Sequence, residues 1–469
     1  MANFLVENNA NVGIGSLRDA IMDANTAPGL DTIVFDTSGL FATPQTISLL
    51  DELPAITDGV DINGTTSAML TIQRDPGAAV GFRIFHVENA AATTPISVII
   101  SGLTLSGGDT GLGGGIRSVG ENLSLDGVVV SGNDSFDVGG GIYFAGLNGS
   151  TLSITHSSII GNSALFGGGL YIDFASVLLG DDTISGNTAI GSAMFLAQGS
   201  TTATLNVSTG SATIAGSNAI AGLGALAKAG AGMLVLADSN SYGGGTTLEA
   251  GTLDLAALQA AGSGIITFAT GSQTLRIENA ALSGNAFTNT IDSFGTGDAI
   301  DLAGLVFAPG ATVTYDTSSH LLAVTSNGIT DMLTLTNPAS THFIAASDGA
   351  GGTKVLLGAA VLHDFNADGN SDVLWRQDGS GQVYVWEMNG QQVQAEGTVA
   401  HAPVTTDWHV QGVGDFNGDF DSDVLWRQDG SGQVYVWEMN GQQVQAEGAV
   451  AHAPVTNDWH IFSDQHFII

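Results

Sequence analysis

Two stretches near the end of the chain place oxygen side chains at close, regular intervals. Asp364, Asn366, Asp368, Asn370 and Asp372 form the first, and Asp415, Asn417, Asp419, Asp421 and Asp423 form the second. In each, oxygens stand at loop positions 1, 3, 5 and 9. Calcium takes roughly six to eight hard oxygens, and this spacing supplies most of them from one short loop, with a backbone carbonyl such as that of Asn370 adding another. Gly369 at position 6 permits the sharp bend in the first loop. In the second, Phe420 stands at that position and Asp421 adds a carboxylate. The expected ion is Ca2+. The alternative is an Asx-rich turn whose side chains bond only their own backbone.

Other catalytic chemistry is thinly represented. The chain has no cysteine, which excludes disulfides, thiolate metal sites and thiol nucleophiles. A hydrolase needs two or three carboxylates at set separation. Within residues 86–222, Asp181-Asp182 is the one adjacent acidic pair, and Asp173 precedes it. Arg117 is the one basic side chain there, and His156 is the one histidine between His86 and His320. Asp181 and Asp182 read as turn residues. His401, His409, His452 and His460 read as repeat copies.

The elements that position these residues are short and β-rich. The 469 residues include 66 glycines with no collagen period, falling between runs of Val, Ile, Leu and Thr. Glycine in that pattern marks tight turns between short strands. Nine Lys+Arg against 45 Asp+Glu give a net charge of −36, which repels nucleic acid and anionic lipid and attracts divalent cations. No stretch reads as a membrane helix: residues 219–237, the most apolar run, are broken by Lys228 and four glycines.

Near the start, Ser16–Asn25 carries the one good helix, with Ser16 as N-cap, Asp19 at the capping-box position and Leu17, Ala20, Ile21 and Ala24 on one apolar face. Further on, Ser106-Gly107-Gly108, Ser131-Gly132-Asn133, Ile160-Gly161-Asn162 and Ser185-Gly186-Asn187 recur at spacings of 25, 29 and 25 residues. Three are followed by a triple glycine, at 113–115, 139–141 and 167–169, and the fourth by Gly191-Ser192-Ala193. A period of about 25 residues predicts one coil of a right-handed parallel β-helix, with two or three strands per coil. Asn133, Asn162 and Asn187 are expected to stack as an amide ladder.

The C-terminal stretch is a different material. All six tryptophans lie there, and Ser371–His409 recurs as Ser422–His460 at an offset of 51 with two differences. Val383–Met388 followed by Asn389-Gly390 predicts a strand entering a tight hairpin. Each copy should form a small antiparallel sheet, with Trp375, Trp386 and their copies filling its core.

Three segments resemble known families. Gly15–Ile21, Ala24-Asn25 and Asp31–Phe35 are similar to the N-terminal cap of bacterial β-helix proteins, in which the helix would plug the open end of the coil. Lys228-Ala229-Gly230-Ala231-Gly232 through Asn240-Ser241-Tyr242-Gly243-Gly244 to Gly251-Thr252-Leu253 resembles the autotransporter-associated β-strand repeat. That family implies a length of passenger β-helix without chemistry of its own. The two Asp-rich loops, each with its following Val-Leu-Trp-Arg strand, resemble FG-GAP/VCBS-type repeats, which implies calcium loops in β-propeller blades.

The expected architecture is all-β: a right-handed parallel β-helix with an N-terminal capping helix, then a small antiparallel β-repeat domain resembling partial propeller blades. The expected segments are 1–85, the cap and first strands; 86–262, the β-helix with the autotransporter-type repeat; 263–358, a continued β-rich solenoid; and 359–469, the two FG-GAP/VCBS-like repeats. The expected function is that of a secreted or cell-surface, adhesin-like bacterial repeat protein with calcium-stabilised C-terminal repeats. Its partners would be an extracellular polysaccharide or a host or neighbouring cell surface, with no nucleic acid. The alternatives are a carbohydrate-active, pectate-lyase-like β-helix enzyme and a glycan-binding module.

Overall fold

A computed structural model describes residues 2–90, 94–147, 149–216, 218–358, 363–366, 370–417 and 421–451. The chain divides into two units. One comprises residues 1–339 and 345–356, the other residues 340–344 and 357–469.

The first unit is a parallel β-helix of about twelve turns. Its longest sheet begins with Asn3–Val6, Asp31–Phe35, Val60–Asn63 and Ser97–Ser101, each paired in parallel with the next. Residues 1–85, the expected cap and first strands, supply the first rungs of the stack. Within the coils, alternate side chains point inward and stack on their equals. One column runs Ile33, Ile62, Ile100, Leu125, Ile154, Leu179 and Leu205, all buried. A second runs Phe85, Ile116, Ile142, Leu170, Met194 and Ile220. Each such side chain contributes about 1.5–3 kcal/mol by leaving water, so the core is built coil by coil.

Between residues 97 and 196 each coil holds four strands rather than two or three. The second of these coils, for example, has Asn122–Asp126, Val129–Ser131, Asp134–Val138 and Ile142–Ala145. Two corners divide it. At one, the asparagines stack: Asn133 Nδ2 donates to Asn162 Oδ1 at 3.0 Å, and Asn162 Nδ2 donates to Asn187 Oδ1 at 3.0 Å. The same oxygens accept the backbone N–H groups of Asn133 and Asn162, so each amide satisfies a turn that would otherwise be buried unpaired. At the other corner sit the triple glycines. Gly113, Gly139 and Gly167 take φ of +65, +68 and +64°, a region side chains avoid. A Cβ on the second or third glycine would meet the next coil's backbone, as Gly115 would meet the Gly141 carbonyl at 2.7 Å. In the fourth copy Gly191 keeps its φ of +68°.

Helix Leu17–Ala24 buries Leu17, Ala20, Ile21 and Ala24, the expected face, and packs against the first two strands of the long sheet. Ser16 Oγ accepts the Asp19 N–H at 3.3 Å. Asp19 in return takes the N–H of Gly15 at 3.0 Å, one residue earlier than a capping box places it. At the far end the stack changes character. Ala286–Asp292 is still followed by a parallel neighbour, Ile329–Thr336, but Leu321–Ser326 and Thr312–Asp316 then continue the sheet antiparallel. A local meander thus extends the long sheet beyond its parallel rungs.

The second unit contains two antiparallel sheets, one per repeat copy. The first is Val373–Arg376, Val383–Asn389 and Gln392–Thr398. The second is Trp408–Gly414, Asp423–Gln428, Val434–Asn440 and Gln443–Ala449. The expected hairpin is present: Asn389 pairs with Gln392, and Gly390 at the turn takes φ +59°. One core serves both copies, joining Phe365, Val383, Val385 and Val399 to Val424, Trp426, Trp437 and Met439.

Candidate functional site: acidic loops and an aromatic cavity

Each acidic loop precedes the first hairpin strand of its own sheet, and its last aspartate ties the two together. Asp372 Oδ2 accepts the N–H of Phe365 at 2.8 Å, and its Oδ1 accepts the N–H of Met388 at 2.8 Å. Asp423 repeats the pattern, taking Phe416 N–H at 2.8 Å and Met439 N–H at 2.9 Å. Position 9 therefore clamps the loop to the neighbouring strand. An ionised carboxylate has about four acceptor sites, so one side chain can take both N–H bonds at once. Asp364, Asp372, Asp421 and Asp423 are all buried. Burying two carboxylates in each loop is costly without compensating positive charge, and a divalent ion is one such compensation. The donor set fits calcium in chemistry. Asn366, Asn370, Asp415 and Asn417 lie in the same loops, whereas Asp368 and Asp419, at position 5, lie outside the described residues. Among the described residues no group of three or more His, Asp or Glu side chains is placed to hold a metal.

In the β-helix, the Asp181-Asp182 pair serves the backbone. Asp182 accepts N–H from Ser157 and from Gly180, each at 2.8 Å. Asp181 accepts the Ser208 hydroxyl at 2.6 Å. Burial still pushes the Asp182 carboxyl up to about 6. The cavity beside the pair is about 40 Å³, far too small for a sugar ring. His156 sits on the surface against Asp126 at 2.9 Å, and that hydrogen bond raises its imidazole above the ordinary range.

Register creates a cluster that sequence distance conceals. His86, Arg117, Tyr143, Tyr171 and Phe195 occupy one column on the outer face of a sheet. Arg117 pairs with Glu88, and His86 reaches the same carboxylate at 2.9 Å. Burial alone would raise the Glu88 carboxyl, but the hydrogen bonds from Arg117 and His86 outweigh it and hold it low. Tyr143, Tyr171 and Phe195 stack face to face at 5.6 and 5.4 Å, so the middle ring has both faces covered by its neighbours. Lys228 is stranger still. It occupies the apolar column between Leu205 and Leu248 and is 0% exposed. Its Nζ donates to the carbonyls of Ala229, Gly230 and Ala250 at 2.7, 2.8 and 3.0 Å. Burial lowers its amine to about 8.

The tryptophans divide. Trp426 and Trp437 are core residues, as expected, but Trp375, the copy of Trp426, is 47% exposed. Trp459 lies outside the described residues. The second sheet also borders a cavity of about 260 Å³, which sequence reading missed. Its walls are Trp408, Trp426, Tyr435 and Trp437, with His401 and Glu447 as polar groups. His401 Nε2 meets Glu447 at 2.9 Å, and its ring lies 4.4 Å from that of Trp437. Only the repeat of His401 with its sheet residues hinted at this grouping.

Among the described residues no helix is long and apolar enough to cross a membrane. Residues 226–255 match the passenger-associated transport repeat, and residues 364–426 match the FG-GAP-like repeat. The chain is also similar to the adhesin BmaC autotransporter of Brucella suis biovar 1 (strain 1330), 33% identical over 204 residues. That stretch is 42% of this chain and 5% of the relative, so the chain spans a small fraction of it. No solved structure matches. The chain is therefore a parallel β-helix protein with a match to the passenger-associated transport repeat within its stack and a match to the FG-GAP-like repeat in its antiparallel unit.

Proposed function

We propose that this protein is a secreted or surface-displayed adhesin-like repeat protein, in which the β-helix is a stalk and the C-terminal loops take calcium. The observation that carries the reading is the similarity to an autotransporter adhesin together with a passenger-associated repeat inside the stack. The absence of cysteine and the net charge of −36 suit an acidic exported stalk held by repeat stacking rather than disulfides. Its partner would be an extracellular polysaccharide or the surface of a host or neighbouring cell. A lyase or hydrolase reading loses its best candidates, since Asp181 and Asp182 spend their oxygens on the turn backbone and on Ser208.

Calcium would be held by Asp364, Asn366, Asp368, Asn370 and Asp372 in one loop and by Asp415, Asn417, Asp419, Asp421 and Asp423 in the other. Its role is to neutralise buried carboxylates and fix the loops on their sheets. Calorimetric titration of the full chain should show calcium binding that is lost in the Asp364→Ala/Asp415→Ala variant. Absence of heat in the wild type would reduce both loops to turns. Separately, beads coated with the full chain should attach to cell or polysaccharide surfaces more than beads coated with an unrelated acidic protein. Equal attachment would sink the adhesive role.

A further inference from the structure

The cavity beside the second repeat sheet plays no part in the loop chemistry, yet it is walled by four large aromatic side chains. We propose that it binds a single neutral sugar ring of a glycan. The inference deepens the adhesive reading by giving it a ligand class, and rests on that reading for its biological setting.

The wall chemistry selects the ligand. A pyranose presents C–H faces that pack on aromatic rings and hydroxyls at its edge that both donate and accept. Glu447 can accept from such hydroxyls. Trp426 and Trp437 are buried behind the wall, so the half-buried Trp408 and Tyr435 present the accessible aromatic surface, with the His401–Glu447 pair, 2.9 Å apart, as its polar edge. The Arg376 guanidinium already lies 5.9 Å from the Trp426 ring centre, so a second cation there, such as a quaternary ammonium, would be repelled. An anionic sugar would face Glu447 and a chain of net charge −36. The volume of about 260 Å³ falls just below the roughly 300–1,000 Å³ of drug-sized pockets, which suits one ring rather than an extended chain.

The site exists only because the repeat is duplicated. His401, Val404 and Thr405 come from the segment that ends the first copy, whereas Trp426, Tyr435, Trp437 and Glu447 belong to the second copy's sheet. In the first sheet, Trp375 and Trp386 keep the same mutual packing, 4.9 Å against 4.8 Å, but Trp375 is open to solvent. That pair is an internal control.

The test is titration of the full chain with glucose, galactose, mannose, fucose and N-acetylglucosamine, each to several times a millimolar dissociation constant. Tryptophan emission is the readout, since every tryptophan lies in this unit. At least one sugar should give a saturable shift. Glu447→Gln and Trp408→Ala should weaken it at least tenfold, about 1.4 kcal/mol, and Glu447→Gln should do so without lowering the melting temperature of the unit, which separates lost binding from the lost core packing of Trp408. Trp375→Ala should leave the affinity unchanged. The proposal is overturned if no sugar saturates, if choline saturates and the sugars do not, or if Trp375→Ala weakens binding as much as Trp408→Ala. Bead attachment that persists without sugar binding removes this inference alone. Sugar binding without attachment removes the adhesive reading alone.

Discussion

Asn133 and Asn162 belong to coils of different sequence, yet each amide makes the same bonds to the next coil. Trp375 and Trp426 belong to near-identical repeats, yet one is 47% exposed and the other 1%. Phe365 and Phe416 also differ, at 0% and 52%. The β-helix imposes a translation, so a residue's neighbour is its own counterpart one coil away. The C-terminal unit pairs two copies, and each copy meets something different. The connector and first loop of copy one contribute to the surroundings of copy two, as the shared core and the Phe365 carbonyl bonded to Gly441 N–H show. Repetition in sequence gives repetition in environment only where the packing is itself periodic.

The sharpest way to break this comparison is to truncate the equivalent tryptophans. Trp426→Ala should destabilise the second unit by about 3–5 kcal/mol, the usual cost of emptying a large aromatic site. Trp375→Ala should cost about 1 kcal/mol, the worth of its edge-on contact with Trp386. Chemical denaturation followed by tryptophan emission measures both. Equal losses would mean that the two copies share an environment after all.

In the stack, Asn162→Ala should cost about 2–3 kcal/mol locally, because it orphans the N–H of Asn133 and removes the donor to the Val130 carbonyl. Hydrogen exchange at Asn133 and its neighbours is the suitable probe, since solenoids open in parts. Protection unchanged from wild type would show that the ladder is ornamental.

A pH-dependent effect concerns the one charged side chain in the apolar column. With the Lys228 amine near 8 when folded and 10.5 in the free residue, the unfolded chain holds the proton more tightly between those values. Stability of the surrounding coils should therefore rise as pH climbs from about 8 to 10.5. Lys228→Met should flatten that dependence in thermal melts while lowering stability at neutral pH, because three carbonyls lose their donor.

Much of the fold was readable from local pattern. The glycine triplets announce corners because the backbone there needs positive φ or the nearness of another coil. The asparagine spacing announces a ladder because equal turns recur. Helix Leu17–Ala24 was readable from its cap and its apolar face. The acidic loops were readable as oxygen-rich turns, but the clamp made by Asp372 and Asp423 on Met388 and Met439 was not, because it depends on which strand lies beside the loop. The Arg117–Glu88–His86 grouping and the burial of Lys228 follow from register between coils, which no short window contains.

The sequence by itself determined that the chain is repetitive and β-rich, where its corners fall, and that its last quarter is duplicated, because these depend on φ preferences and on alternation over a few residues. Only tertiary structure decided that the coils between residues 97 and 196 have four strands, that Lys228 stands among leucines, and that one tryptophan of an identical pair is buried while the other faces water. Burial is a property of what lies across the gap, and the chain does not encode that within any one repeat.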